Sequence, residues 1–241
     1  MIMKKNTIDL HTHSVLSRHA YSSLTENIEY AASIGLEVYG ISEHQPDDLN
    51  VGAHKYAFKN CYRIAPKQIG NTKVLVGIEL NITDNGFNTY EIEIDKLSYS
   101  IASIHRYVYD ESHTYEENTK NYIMACNTPF VTIIGHLDFT LYPCDYEKVV
   151  IAASKNDKII ELNNASVNPN GSRPGAAKND YEILEYCKKY NVPVLMGSDA
   201  HIKYEIGNVD YCISLLDETK FPEELVINYN KDLFNHYFKF R

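Results

Sequence analysis

Short β-rich runs, most of them ending in a histidine, alternate along this chain with amphipathic stretches, and that rhythm restricts its fold more than any other feature. The runs are "NTIDLHTH", "EVYGISEH", "KVLVGIELNI", "SYSIASIH", "FVTIIGH", "KIIELNN" and "VPVLMGSDAH". Between them lie "SSLTENIEYAASIG", "HKYAFKNCYRIAPKQI", "YEENTKNYIMAC", "DYEKVVIAASKN" and "AAKNDYEILEYCKKYN". The first of these opens with Ser23 three residues before Glu26, a reciprocal capping pair, and stops at Gly35. Strands joined by helices in this way run parallel, so the expected class is α/β. "DNG" offers a hairpin turn before the alternating "TYEIEI", predicted as an excursion beyond the main sheet.

The 241 residues fit one α/β barrel, and no Gly-, Pro- or Ser-rich linker or fixed-period repeat divides them, so residues 1–241 are read as a single domain. A net charge of -9 argues against the basic stripe that duplex nucleic acid needs. It does not argue against a small anionic substrate, because bound cations can reverse a local potential. Cys61, Cys126, Cys144, Cys187 and Cys212 are scattered and form no C-x-x-C pair, which suits a reduced, cytoplasmic compartment. The opening "MIMKKNTIDLHTH" leaves no room for a signal peptide, and no apolar run is long enough for a membrane span.

His11, His13, His44, Glu79, His105, His136, Asp199 and His201 all fall at the C-terminal ends of predicted strands or just beyond. In a closed parallel barrel those ends meet on one face, where such folds hold their chemistry. Residues two apart on a strand point to the same side, so His11 and His13 can face one ion, and Asp199 and His201 one cavity. Imidazole and carboxylate donors suit zinc, manganese or iron(II), and the lack of strand-end cysteines argues against a closed structural zinc site. Core packing does not produce such a series, since buried histidines are few and need satisfied partners.

The stretches "DLHTHS", "HAYSSL", "GISEH", "GIELNI", "SIH", "IIGH", "ELNN" and "GSDAH", in this order, resemble the PHP (polymerase and histidinol phosphatase) superfamily. "HAYS" and "ELNNAS" look closest to its YcdX branch, and the resemblance runs over about residues 8–215. It implies a distorted (β/α)7 TIM-like barrel, phosphoesterase activity and three divalent transition metal ions, zinc first, with manganese or iron as alternatives. By the same resemblance His11, His13, Glu79 and Asp199 surround one ion, and Glu79 bridges to a second held with His105 and His136. His19, His44 and His201 hold the third. Glu43 and Ala200 stand where the family often has Asp and Ser, and "RYVYDESH" after His105 departs further.

Arg173, in "NPNGSRPGA", matches an arginine of the branch and is read either as a bidentate phosphate clamp or as a solvated loop residue. Arg106 and Arg18 are weaker clamp candidates. His113 is placed like a histidine of the branch and is read as a general acid or a surface residue. Asn163 and Asn164 orient the site or close a turn. His54 and His236 are read as structural or exposed, and the twenty tyrosines as packing residues rather than a base-stacking platform. The C-terminal "DLFNHYFKF" is a last docking helix or, alternatively, a contact of a homo-oligomer.

The expected function is hydrolysis of a small phosphorylated substrate, most simply a phosphomonoester, by water activated at the metals. The alternatives are a histidinol-phosphate phosphatase, a PHP-type exonuclease, and a metal-binding regulatory protein without turnover. An amidohydrolase shares the H-x-H start but bridges its metals with a carbamylated lysine, where Glu79 stands here.

Overall fold

The computed structural model describes residues 5–46, 51–89 and 91–238. The strands are β1 (Ile8–Asp9), β2 (Val38–Ile41), β3 (Gln68–Ile69), β4 (Thr72–Asn81), β5 (Tyr99–Ser103), β6 (Ile133–Ile134), β7 (Ile159–Asn163) and β8 (Val194–Gly197). The helices are α1 (Leu24–Ser33), α2 (Lys55–Ile64), α3 (Tyr115–Asn127), α4 (Tyr146–Lys155), α5 (Asn164–Val167), α6 (Ala176–Tyr190), α7 (Asp210–Thr219) and α8 (Lys231–Tyr237). The sheet runs β1-β2-β4-β5-β6-β7-β8, parallel throughout, with β3 antiparallel on β4. A parallel bridge between Thr12 and Ala200, with the His13 N–H donating to the Ala200 carbonyl at 2.8 Å, brings the first and last strands together. The result is the expected α/β barrel, nearly closed, with its helices outside.

Strands covered on both faces read as apolar runs, and every residue of β4 except Lys73 is buried. Inside the ring Ile8, Leu10, Val38, Leu75, Ile133, Ile159 and Leu195 pack round Tyr99. The Tyr99 hydroxyl donates to the Leu10 carbonyl at 2.6 Å. Gly77 makes room for that ring, because a Cβ there would lie 2.5 Å from it. Phe234 and Phe238 join the same cluster from the C-terminal segment, so "DLFNHYFKF" docks as α8. Its Lys239 and Phe240 lie outside the described residues, as do the ends of the 1–241 domain span. A second cluster joins the outer strand faces to the helices, with Ile28, Tyr122, Val150 and Ile183 among its members.

Ser23 and Glu26 form the predicted capping box of α1. Three stretches differ from the expectations. The helix expected through "APKQI" stops at Ile64, since Ala65 precedes Pro66 and takes an extended conformation; Gln68 and Ile69 then pair with β4. "DNG" does turn, through a Thr83–Gly86 bridge, but residues 91–94 find no ladder. There Glu91 adopts a positive φ of 62° and Ile92 is buried by a turn, so alternation reports burial without a partner strand. Tyr90 lies outside the described residues. Helix α7 went unread because no distinct cap marks its start. Among the described residues no helix is long and apolar enough to cross a membrane.

Candidate metal centre

Seven of the chain's ten histidines converge with Glu79 and Asp199 at the C-terminal ends of the strands. Glu79, on β4, is the centre. Its Oε1 lies 3.2 Å from Nε2 of both His105 and His136 and 3.3 Å from His11 Nε2. Its Oε2 lies 2.8 Å from His44 Nδ1 and 3.6 Å from His13 Nε2. Asp199 Oδ1 stands 3.2 Å from His13 Nε2 and 3.5 Å from His11 Nε2. Donor atoms of His11, His13 and Glu79 lie within 4.8 Å of one another, as do those of His13, His44 and His201, and of His44, Glu79 and His105. These sets share members, whereas the family resemblance divides the same side chains into groups that share Glu79 alone. His19 reaches the cluster from the β1–α1 loop, with its ring centroid 4.2 Å from that of His201.

Apart from His136 Nε2, which is within hydrogen-bond reach of Glu79 Oε1 at 3.2 Å, these close approaches have the wrong directions for hydrogen bonds. His11 Nε2, both ring nitrogens of His13 and His44, His105 Nε2, His201 Nε2 and Glu79 Oε2 are buried without a hydrogen-bond partner. Such orphaned atoms are costly unless something else satisfies them. On His11, His105 and His201 the opposite edge is engaged. His11 Nδ1 lies 2.5 Å from Glu161 Oε1, His105 Nδ1 2.5 Å from Asn81 Oδ1, and His201 Nδ1 2.9 Å from the Asp199 carbonyl. Each contact assigns the proton to Nδ1 and leaves the Nε2 lone pair facing inward, the usual arrangement behind a metal-bound imidazole. His136 and Asp199 adopt positive φ of 24° and 55°, so the chain bends out of strand geometry at both positions.

Charge follows the same division. Burial pushes His13 well down, reinforced by His44 and His201; partial shielding of the more exposed His19, with His201 and His44 beside it, brings it to about 4. Burial, then Arg173, brings His136 to about 4. Burial alone would raise Glu79, but His105, His11 and His44 outweigh it and hold the carboxyl well below its usual range. Burial opposes the charge on His11 too, and there Glu161, Asp199 and Glu79 prevail and raise it. Mostly neutral imidazoles round ionised carboxylates form a donor set ready for a divalent cation. Nitrogen and oxygen donors of this kind fit zinc, manganese or iron(II).

Glu161 was missed by sequence reasoning, although it lies in the quoted "ELNN" and shares a strand face with Asn163. Its second oxygen accepts the His136 backbone N–H at 2.9 Å and the Asn163 amide at 3.1 Å. Asn163 fills both uses read for it, donating to Asp199 Oδ2 at 3.2 Å and accepting the Ser166 N–H at 3.1 Å to close the turn into α5. Asn164 instead accepts the Tyr211 N–H at the start of α7. Glu43, which stands where the family often has Asp, braces the site from behind. It accepts from Ser14 and Ser17 side chains and backbone, and so ties down the loop that carries His19.

A cavity of about 520 Å³ opens over the cluster, with His19, His44, His201, Phe139 and Arg173 in its lining. Arg173 Nη1 donates to Asp199 Oδ2 and Ser166 Oγ, both at 3.1 Å, and its guanidinium lies 5.6 Å over the Phe139 ring. Arg106 also lines the cavity, and its Nε donates to Glu111. Arg18 is exposed on the loop before His19. His113 is held elsewhere: Asp84 Oδ1 lies 2.7 Å from its Nε2, the Asp110 carbonyl 2.7 Å from its Nδ1, and its ring stacks on Tyr109. His54 caps α2 and His236 pairs with Asp157, both structural uses.

The family model described as the PHP domain matches residues 9–170, and a PHP-associated model matches residues 181–225. The chain belongs to the PHP family. This PHP chain is 40% identical to a probable phosphatase of Clostridium acetobutylicum, over 98% of the chain and 95% of the relative. It is 37% identical to a probable phosphatase of Acetivibrio thermocellus, over 98% and 96%. The expectation of a PHP-type hydrolase therefore holds. Among solved structures it is similar to a histidinol phosphate phosphatase of Lactococcus lactis complexed with zinc, L-histidinol and phosphate. That match has a TM-score of 0.65 and 19% identity, covering 91% of this chain and 95% of the other. An archaeal ribonuclease P with mature tRNA contains a chain similar at a TM-score of 0.52 and 17% identity, covering 89% and 88%. At these identities both likenesses concern the fold.

Proposed function

We propose that this PHP chain is a metal-dependent phosphomonoesterase, with three divalent cations held by His11, His13, His19, His44, Glu79, His105, His136, Asp199 and His201. The observation that carries the reading is the convergence of buried, unpartnered imidazole and carboxylate atoms on Glu79, which hydrogen bonding leaves unsatisfied. Bound divalent cations supply Lewis acidity towards phosphate oxygens and make water a stronger acid. Two ligand carboxylates against three such cations leave the pocket cationic, which favours a phosphate over a neutral amide.

The chain's own groups do the rest. Glu161 and Asn81 hold His11 and His105 in one tautomer, and Asn163 orients Asp199. Arg173 spends Nη1 on Ser166 and Asp199, and its other guanidinium donors remain for the anionic oxygens of a substrate in the cavity it lines. A general-acid role for His113 draws no support from its engaged nitrogens and its place beside Asp84. The reading treats residues 1–241 as one domain, supported by the bridge that joins β8 to β1. It also places the chain in the cytoplasm, supported by five buried, unpaired cysteines.

The test is turnover of p-nitrophenyl phosphate by protein loaded with zinc or manganese, with bound metal measured on the same sample. Hydrolysis that disappears in His11→Ala with His13→Ala is expected. Unchanged turnover in that variant refutes the assignment, and metal binding without turnover of any phosphate ester would favour the regulatory alternative. Histidinol phosphate belongs in the ester screen because the Lactococcus lactis neighbour was complexed with L-histidinol and phosphate.

A further inference from the structure

Two aromatic side chains at the mouth of the cavity are left almost bare. Tyr21 is 78% exposed and Tyr107 70% exposed, and both line the space above the cluster. Each stands two residues beyond a cluster histidine, Tyr21 after His19 and Tyr107 after His105. Their backbones are fixed even though their rings are not packed. The Tyr21 N–H donates to the His201 carbonyl at 2.7 Å, and Tyr107 sits in a turn closed by the Val108 and Tyr109 N–H groups on the His105 carbonyl. Among the described residues neither ring has an aromatic partner. Phe139, which lines the same cavity, does, packing against His136 and Tyr142 and beneath Arg173.

Large apolar side chains held at a cavity rim on a fixed backbone, with their faces open, are binding surface rather than core. The cavity is also far larger than a phosphate group needs, since about 520 Å³ lies within the range of roughly 300–1,000 Å³ that holds drug-sized molecules. Val51 and Ala165 extend its apolar lining. The phosphoryl group belongs at the buried histidines and Arg173, so the leaving group must extend outward past Tyr21 and Tyr107.

We infer that Tyr21 and Tyr107 determine specificity by gripping a flat aromatic ring on the leaving group, so that the preferred substrates are phosphomonoesters of ring-bearing alcohols. This rests on the phosphomonoesterase reading for the position of the phosphoryl group. The tyrosines act on the part of the substrate that leaves and take no part in bond cleavage.

The test compares benzylphosphonate with ethylphosphonate, which do not turn over, by calorimetry on the zinc-loaded protein. Hydrolysis of benzyl phosphate and ethyl phosphate, esters of similar alcohols, is measured alongside. The benzyl compound is expected to bind about tenfold more tightly, a modest value for stacking on aromatic side chains. The ratio should fall to near one in Tyr21→Ala with Tyr107→Ala and persist in Tyr21→Phe with Tyr107→Phe. Equal affinities in the unaltered protein, or a preference that survives the double alanine variant, would overturn the inference. A benzyl preference in binding with neither ester hydrolysed would leave it standing and sink the phosphomonoesterase reading. Hydrolysis of both esters with equal phosphonate affinities would do the reverse, and no binding of either phosphonate would overturn both.

Discussion

Glu161 Oε1 lies 2.5 Å from His11 Nδ1, and both side chains are shut away from solvent. The contact decides which nitrogen of His11 faces the cluster. The other oxygen takes the His136 backbone N–H at 2.9 Å, so one carboxylate aligns groups from two strands. Partners of this kind cost about 10–100-fold in metal affinity when they are changed. Glu161→Gln is expected near the lower end, since an amide oxygen still accepts the proton, and Glu161→Ala near the upper. Zinc competition against a chelator measures both, and unaltered affinity in the alanine variant would remove Glu161 as a positioning residue.

Arg173 should affect substrate more than metal. Its alanine variant is expected to raise KM for a phosphate ester about tenfold, the scale of one charge-assisted hydrogen bond at 1.5–3 kcal/mol. Lysine should restore little, because an ammonium cannot reproduce the planar fork. Steady-state kinetics on the metal-loaded protein check this, and identical constants in Arg173→Ala would take it out of the site.

His113 should titrate above its ordinary 6.5. Burial is the largest single influence and lowers it, but the Asp110 carbonyl and the Asp84 carboxylate together outweigh that and raise it. Burial would likewise raise Asp84, yet hydrogen bonds from His113 and Asn121 hold it below 3.8. The histidine's contribution to stability is complete below 6.5 and fades as pH rises through its folded pKa. The aspartate's is present above 3.8 and fades as pH falls through its own lowered value. The pair thus contributes most between those two ordinary values, and weakly, because Asp84 is largely exposed. In Asp84→Asn the His113 pKa followed by NMR should fall towards 6.5. No movement would dissolve the pair.

Gly77 tests the barrel interior. An alanine Cβ would sit 2.5 Å from the Tyr99 ring, which is itself anchored to the Leu10 carbonyl and cannot swing away freely. Overpacking of this kind costs about 1–3 kcal/mol. Urea unfolding of Gly77→Ala should show that loss as a lower midpoint with an unchanged slope. A midpoint equal to that of the unaltered protein would contradict the packing described here.

The strand ends were legible because the chemistry of the site needs particular side chains there. His11, His13, His44, Glu79, His105, His136, Asp199 and His201 announce themselves by falling at or just beyond the C-terminal ends of successive strands. His19 was harder, since it sits on a loop and no period marks it; the family pattern supplied it. Glu161 shows what patterning alone does not convey. A single acid inside an apolar strand gives no sign of whether it is a ligand, a partner of a ligand or a buried ion pair until the neighbouring strands are in place. The same holds for Glu43 and its two serines. The lost strand at residues 91–94 has the opposite cause, because alternation records which side chains are buried and says nothing about whether a ladder exists.

The most direct measurement is anomalous diffraction at the zinc absorption edge, from crystals of the protein grown or soaked with zinc. Three peaks are expected within bonding distance of the cluster, at least one of them on Glu79 and the nearest imidazole nitrogens. Zinc peaks confined to surface histidines such as His236 or His54, with none beside Glu79, would contradict the metal centre and with it the proposed phosphatase.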